Sequence, residues 1–256
     1  LSIINKSTKV GESFSLQTDL SFRNNKNILI KNLTLQNEDN FFKIDDMVIN
    51  KAYNLVDFKK IRVKTKENKT VNNDFIIKNN KESIIIDGKI FDATILLKEL
   101  DEPEKNNNFL KKISKNIEAD FSKVLTDTEF PFNKFRMVGL IKKGRLEKIS
   151  AKSEFEEDKF LDIAIKKEKN TNMSLVEIYS DIARPLVNSY DFFEGLEGGN
   201  LTYSSKSNNK KSSGVLEIKN FKLNKAPGLA KLLSLADLKG LTDALRGDGI
   251  SFDSLV

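Results

Sequence analysis

Apolar and polar residues alternate with a period of two along most of this chain. In "FSLQTDLSF", Phe14, Leu16, Leu20 and Phe22 fall on one side, and Ser15, Gln17, Asp19 and Ser21 on the other. Successive side chains of a strand point to opposite faces, so this pattern predicts strands with one buried face. The same alternation aligns Leu33 with Leu35, Ile61 with Val63, and Ile117 with Ala119 and Phe121. It then aligns Phe135 with Met137, Gly139 and Ile141, Leu161 with Ile163 and Ile165, and Leu201 with Tyr203. Leu216 and Ile218 share one parity and Phe221 and Leu223 the other, which predicts a β-bulge near Asn220. Spacers such as "RNNKN", "KENKTVNN" and "NNKE" are short, polar and rich in turn formers. Asp87-Gly88 reads as a turn between two strand-like runs, and "KKGR" as another tight turn. Together these segments predict a β-meander, mostly antiparallel, and not a series of βαβ units.

In three places the period changes to that of a helix. Leu96, Leu97 and Leu100 predict a short helix at 94–100, with a seam near 100–116. Ile182, Leu186 and Tyr190 repeat every four residues, which predicts a helix over 181–190; Ser180 or Asp181 caps it, and Pro185 sits near its start. The third is an insert at 226–247. Pro227 opens it, Leu229, Leu232 and Leu233 form its first buried stripe, and Leu238, Leu241 and Leu245 its second. "ISFDSL" then returns to strand alternation.

Composition narrows the chemistry. The chain has neither His nor Cys. This removes the commonest general base, the commonest metal ligand, thiolate sites and disulfides. Carboxylates such as Asp191, Glu194 and Glu197, or Glu154, Glu156 and Glu157, have no motif around them. "GLEGGN" lacks the Lys and spacing of a phosphate loop, and "RGDGISFD" lacks the acidic ladder of a calcium loop. We therefore expect no enzyme, no metal and no cofactor. The net charge is +6, from 43 Lys+Arg against 37 Asp+Glu. The basic residues are mainly Lys, spread along the whole chain. Nucleic-acid binders cluster Arg and aromatics on one face, so no nucleic-acid partner is expected. A mild attraction to anionic surfaces, lipid head groups included, remains. No apolar run reaches the 18 residues of a membrane span. The first residue is Leu1, which we read as the start of an excised or processed piece of a longer protein.

Four stretches carry a resemblance. They are "FFEGLEGGNLTYSS", "SGVLEIKNFKLNKAPGLAKLLSLADLKGL", "LRGDGISFDSL" and, upstream, "IIIDGKIFDATILLKEL". With "SDIARPLVNSYDFFEGLEGG" before the Gly-Gly strand, they resemble, in this order, the C-terminal region of the long AsmA-like envelope proteins of the YhdP and TamB type. The resemblance covers roughly residues 84 to 256. The chain reads as one elongated, mostly antiparallel β unit over 1–256 with a few short helical inserts, and the resemblance implies a curved, taco-like sheet with a hydrophobic groove. It further implies a periplasmic location, with an inner-membrane anchor in a segment not present here. The implied partners are phospholipid acyl chains, the two membranes through segments outside the chain, and envelope proteins. The implied role is non-enzymatic phospholipid transport between inner and outer membranes, supporting outer-membrane integrity. On that reading Phe14, Leu16, Leu20, Phe22, Phe121, Phe135, Met137, Leu201, Tyr203, Leu216 and Ile218 are the candidates to line the groove. The competing reading is a structural β scaffold that binds a protein or glycan of the envelope. An extended sheet edge serves such a scaffold, whereas a lipid carrier keeps an apolar stripe accessible.

Overall fold

The computed structural model describes residues 13–23, 27–51, 54–96, 113–127, 130–143, 145–156, 158–168, 173–187, 195–208, 212–223 and 250–255. The expected mainly β fold is what is found. Among the described residues, hydrogen-bonded strands follow one another in chain order in an open, mostly antiparallel, 15-stranded sheet, except that the fourth strand pairs with the third beside this path. The described residues pack as two compact units.

The first unit takes its residues from Leu1–Asp127 and Pro131–Ile149. It holds β1 (Ser15–Arg23), β2 (Asn27–Gln36), β3 (Phe41–Asn50), β4 (Leu55–Asp57), β5 (Lys60–Glu67), β6 (Thr70–Asn79), β7 (Ser83–Asp92), β8 (Lys115–Leu125), β9 (Phe132–Lys142) and the start of β10 (Arg145–Glu156). Hairpin chemistry is local where it is tightest. Asn68 and Lys69 both have positive φ, as a two-residue hairpin loop between β5 and β6 requires. β7 pairs with β8 in parallel. Parallel neighbours need a crossover connection, and this is the stretch where the sequence pattern breaks. Its first residues, 94–96, are helical, and the Asp92 carboxylate caps them by accepting from the Thr94 N–H at 3.0 Å. The rest of the helix expected at 94–100 lies outside the described residues.

The Asp87-Gly88 turn expected from sequence does not exist. Both residues sit inside the continuous strand β7. Gly88 is opposite Phe121, and a methyl group placed on it would come 2.5 Å from the Phe75 Cβ and 2.9 Å from the Phe121 ring. The glycine serves close packing here, not chain reversal. One residue on, register shifts between Asp74 and Phe75, and Lys89 is the extra residue. Lys134, opposite Ser122 at the same level, takes φ 50°. Phe121 and Val124 are three apart, yet both join one core cluster with Val63, Phe75, Ala93 and Ala119. Irregularities at one level of β7, β8 and β9 thus turn the parity of these strands together, and one face stays apolar.

The second unit comprises residues from Thr128–Phe130 and Ser150–Val256. It contains the remainder of β10, then β11 (Lys159–Lys167), β12 (Ser174–Ser180), α1 (Arg184–Val187), β13 (Leu196–Ser207), β14 (Ser212–Leu223) and β15 (Ile250–Leu255). Its core joins Ala183 and Val187 to Leu196, Leu201, Ile218, Phe221 and Leu223. The irregularity expected near Asn220 is present, but no residue is inserted. Asn220 (φ 55°) lies opposite Gly199 (φ 75°), and the flanking pairs Gly198–Phe221 and Asn200–Lys219 keep one register. The Gly199 carbonyl accepts from the Ala183 N–H at 2.9 Å, which ties the start of α1 to β13.

The helix expected over 181–190 is helical at 184–187, and 188–190 lie outside the described residues. The proposed caps are spent elsewhere. The Ser180 hydroxyl donates to the Ile182 carbonyl at 2.7 Å, and the Asp181 carboxylate binds residues of β11 and β12. The insert at 226–247, with Leu229, Leu232, Leu233, Leu238, Leu241 and Leu245, lies outside the described residues.

Candidate functional site

Strand register converts the alternation into rungs that cross each unit. In the first unit one rung runs Leu16–Leu35–Phe42–Val63–Phe75–Gly88–Phe121–Phe135. The next runs Thr18–Leu33–Ile44–Ile61–Ile77–Ile86–Ala119–Met137. These side chains share one face, because paired residues of neighbouring strands point the same way. Phe75, Phe91 and Phe121 form an aromatic knot, with Phe91 stacked on Phe121 at 5.3 Å and edge-on to Phe75 at 5.5 Å. Around it Phe42, Phe132, Phe135 and Met137 are only partly buried. The described residues contain no second sheet to cover them. The opposite face carries mixed charge in pairs, such as Lys78–Asp87 at 3.3 Å and Arg136–Asp120 at 3.3 Å. Surface pairs of this kind add little stability.

The second unit shows the same device. Its rungs are Leu161–Ser180–Leu201–Ile218–Leu255, Ile163–Ile178–Tyr203–Leu216, and Ile165–Val176–Ser205–Gly214. The first of these is closed core. Leu161, Ser180, Leu201 and Ile218 are at most 2% exposed. In the second and third rungs every side chain from Ile163 to Leu216 and from Ile165 to Ser205 is half-buried.

The groove candidates therefore separate into groups. Phe121, Leu201 and Ile218 are packed core. Phe14, Phe135, Met137, Tyr203 and Leu216 are half-buried and accessible, and Leu16 is 63% exposed. Leu20 and Phe22 lie in β1, but their side chains are outside what the structure describes. The groove candidates named from sequence omit Phe42, Ile77, Ile86, Ile163, Ile178 and Val176, which register places on the same rungs. Parity aligns Ile163 with Leu161 on its own strand; register adds its rung partners Ile178 and Tyr203 on β12 and β13.

An open, polar pocket of about 400 Å³ lies in the second unit, lined by Asp158, Lys159, Phe160, Asp181, Gly199, Asn200 and Asn220. Asp181 is its anchor. One carboxylate oxygen accepts from the Phe160 N–H at 2.9 Å and the other from the Tyr179 hydroxyl at 2.7 Å. The Phe160 amide first, then the Tyr179 hydroxyl, hold this carboxyl below its ordinary 3.8, against a smaller opposing effect of burial. The same hydrogen bond raises the Tyr179 phenol above its ordinary 10.0. A carboxylate with both oxygens occupied clamps β11 to the end of β12 and has little capacity to take a proton.

Asp181 contributes stability that is fully present above 3.8 and is lost as pH falls through its lowered folded value. Tyr179 contributes stability present below 10.0 and lost as pH rises through its raised value. In urea titrations Asp181→Asn is expected to be less stable than the parent near neutral pH, with the difference shrinking once pH drops well below 3.8. A difference that stays constant down to that pH would mean the carboxylate charge contributes nothing.

Compared with family models, curated proteins and solved structures, the chain finds no match in any of the three.

Proposed function

We propose that this chain is a non-enzymatic, lipid-handling segment of an AsmA-like envelope protein. In this reading it lies in the periplasm, joined to the inner membrane by a segment outside the chain. It supports phospholipid movement between inner and outer membranes and so the integrity of the outer membrane. One observation carries the proposal: each unit has rungs of half-buried apolar side chains on one face, with no second sheet over them among the described residues. Burial of acyl chains against such a face is worth about 0.8 kcal/mol per CH₂. Partial cover of a lipid is then enough for useful affinity, and successive rungs of similar character let it shift with small barriers. Neither a cofactor nor a catalytic residue has a part in this.

The test is native mass spectrometry with lipid extraction on the chain purified without detergent. Phospholipid is expected to co-purify. Met137→Asp and Ile163→Asp, at half-buried positions of the two units, are expected to lose most of it while keeping the far-ultraviolet β signal. A lipid-free parent that is folded and takes up no added phospholipid would overturn the proposal.

A second reading, a partner-binding scaffold of the envelope, has its own observation. β15 pairs with β14 only from Ile218 to Leu223, so the outer backbone edge of 212–217 has no strand beside it among the described residues. An extended segment of a protein partner can add there by main-chain hydrogen bonds.

A further inference from the structure

The apolar face of the second unit is graded from one end to the other, and the gradient has a chemical direction. Beyond the closed Leu201 rung comes the half-buried rung Ile163–Ile178–Tyr203–Leu216, and then a mixed one in which Ile165 and Val176 are followed by Ser205 and the exposed Gly214. The next rung is Lys167–Ser174–Ser207–Ser212, each residue directly opposite the next on β11, β12, β13 and β14. Every residue on this face from the Leu161 rung to this one is uncharged except Lys167. No hydrogen bond or ion pair engages the side chains of Lys167, Ser174, Ser207 or Ser212 among the described residues. Neighbouring strands lie about 4.8 Å apart. The rung therefore presents one ammonium and three hydroxyls in a row of closely spaced donors.

Tyr203 marks the boundary. A methyl group placed on Gly214 would meet the Tyr203 hydroxyl at 3.1 Å, so this side chain leans from its own rung over the next, toward the polar end. Its hydroxyl thus sits beside Gly214, one rung nearer to Lys167 than its own backbone. Tyrosine, with an apolar ring and a polar hydroxyl, is enriched at membrane–water boundaries.

We propose that the Lys167–Ser174–Ser207–Ser212 rung binds the anionic phosphate head group of a lipid whose acyl chains lie along the Val176 and Ile178 rungs. The proposal rests on the lipid-handling reading above and adds polarity and head-group class to it. Rungs on one face repeat every two residues, about 6.7 Å, so the head-group rung and the Leu216 rung are roughly 13 Å apart. That distance accommodates a substantial part of an acyl chain between the charged end and the closed core. The charge on Lys167 selects a net-negative head group, and the serine hydroxyls donate to its oxygens.

The experiment uses the full chain and two probes with identical acyl chains, dioleoyl phosphatidylglycerol and dioleoylglycerol, the second lacking a charged head group. Retained lipid is quantified after removal of the unbound fraction. The parent is expected to retain both, with phosphatidylglycerol preferred. Lys167→Gln is expected to lower retention of phosphatidylglycerol about tenfold and leave dioleoylglycerol unchanged, and Ser207→Val to act in the same direction. Unchanged phosphatidylglycerol retention in Lys167→Gln would overturn the head-group assignment and leave the lipid reading standing. An equal fall for both lipids would make Lys167 a structural residue and overturn it as well. A parent that retains neither would remove the lipid reading itself.

Discussion

Leu201→Asp is expected to unfold the second unit, and not merely to empty a lipid site. Leu201 is 2% exposed, between Ser180 and Ile218, and both of these are fully buried. Truncating a buried leucine costs about 2–5 kcal/mol. An aspartate there also buries a carboxyl among Ala183, Leu196, Phe221 and Leu223, none of which can donate a side-chain hydrogen bond to it. A total above about 4 kcal/mol is comparable to the stability of an ordinary domain. Far-ultraviolet circular dichroism and a urea titration are expected to show loss of part of the cooperative β transition. A folded Leu201→Asp with parent-like stability would mean that this position is open to solvent, and the boundary between core and accessible rungs would have to be redrawn. For this reason the lipid tests use Met137, Ile163 and Lys167, whose side chains are only partly covered.

The second large effect is expected at Gly88→Val in the first unit. A Cβ there lies 2.5 Å from the Phe75 Cβ, 2.7 Å from the Asp74 carbonyl oxygen and 2.9 Å from the Phe121 ring. Two of these three contacts involve β6 backbone or a Cβ fixed to it, so no rotamer change relieves them. Overpacking of this kind costs about 1–3 kcal/mol in general, and valine at a site this tight is expected at or above the upper end. The double variant Gly88→Val, Phe121→Ala separates the causes. It removes only the ring contact and forfeits the buried Phe121, so it is expected to be less stable than Gly88→Val alone. Recovery of stability in the double variant would show that the ring is the main obstacle and that β6 can move. A Gly88→Val change within about 0.5 kcal/mol of the parent, the range of ordinary surface substitutions, would sink the close-approach account of this glycine.

Gly88 also shows where sequence reading stops. Asp-Gly between apolar runs is a strong local signal for a turn, yet β7 passes straight through it. The competing demand is an aromatic ring from Phe121, 33 positions on in a strand that pairs in parallel. No window along the chain contains both residues. The change of parity near Asn220 was visible locally, because Ile218 and Phe221 are both apolar and three apart. Its form, a paired kink with Gly199 and no inserted residue, depends on the partner strand. The expected caps of α1 failed for a similar reason. Asp181 finds better partners in Phe160 and Tyr179, across and along the sheet, than at the start of a four-residue helix.

The groove candidates divide along the same line. Phe121 and Phe135 face each other on one rung, and nothing in their own segments distinguishes them. Phe121 is 3% exposed because Phe75, Phe91 and Gly88 close around it, whereas Phe135, on the far side of β8 from that knot, stays partly open.

By itself the sequence determined that this is a β protein, where most strands run and which residues share a face between one irregularity and the next. Those properties follow from side-chain chemistry repeating every two residues, and a strand needs no distant information to express it. The tertiary structure alone decided the parallel step from β7 to β8, the aligned kinks that keep one face apolar, and the division of that face into closed core and accessible rungs. Burial is set by what stands on the neighbouring strands, and in a wide sheet those neighbours come from far along the chain.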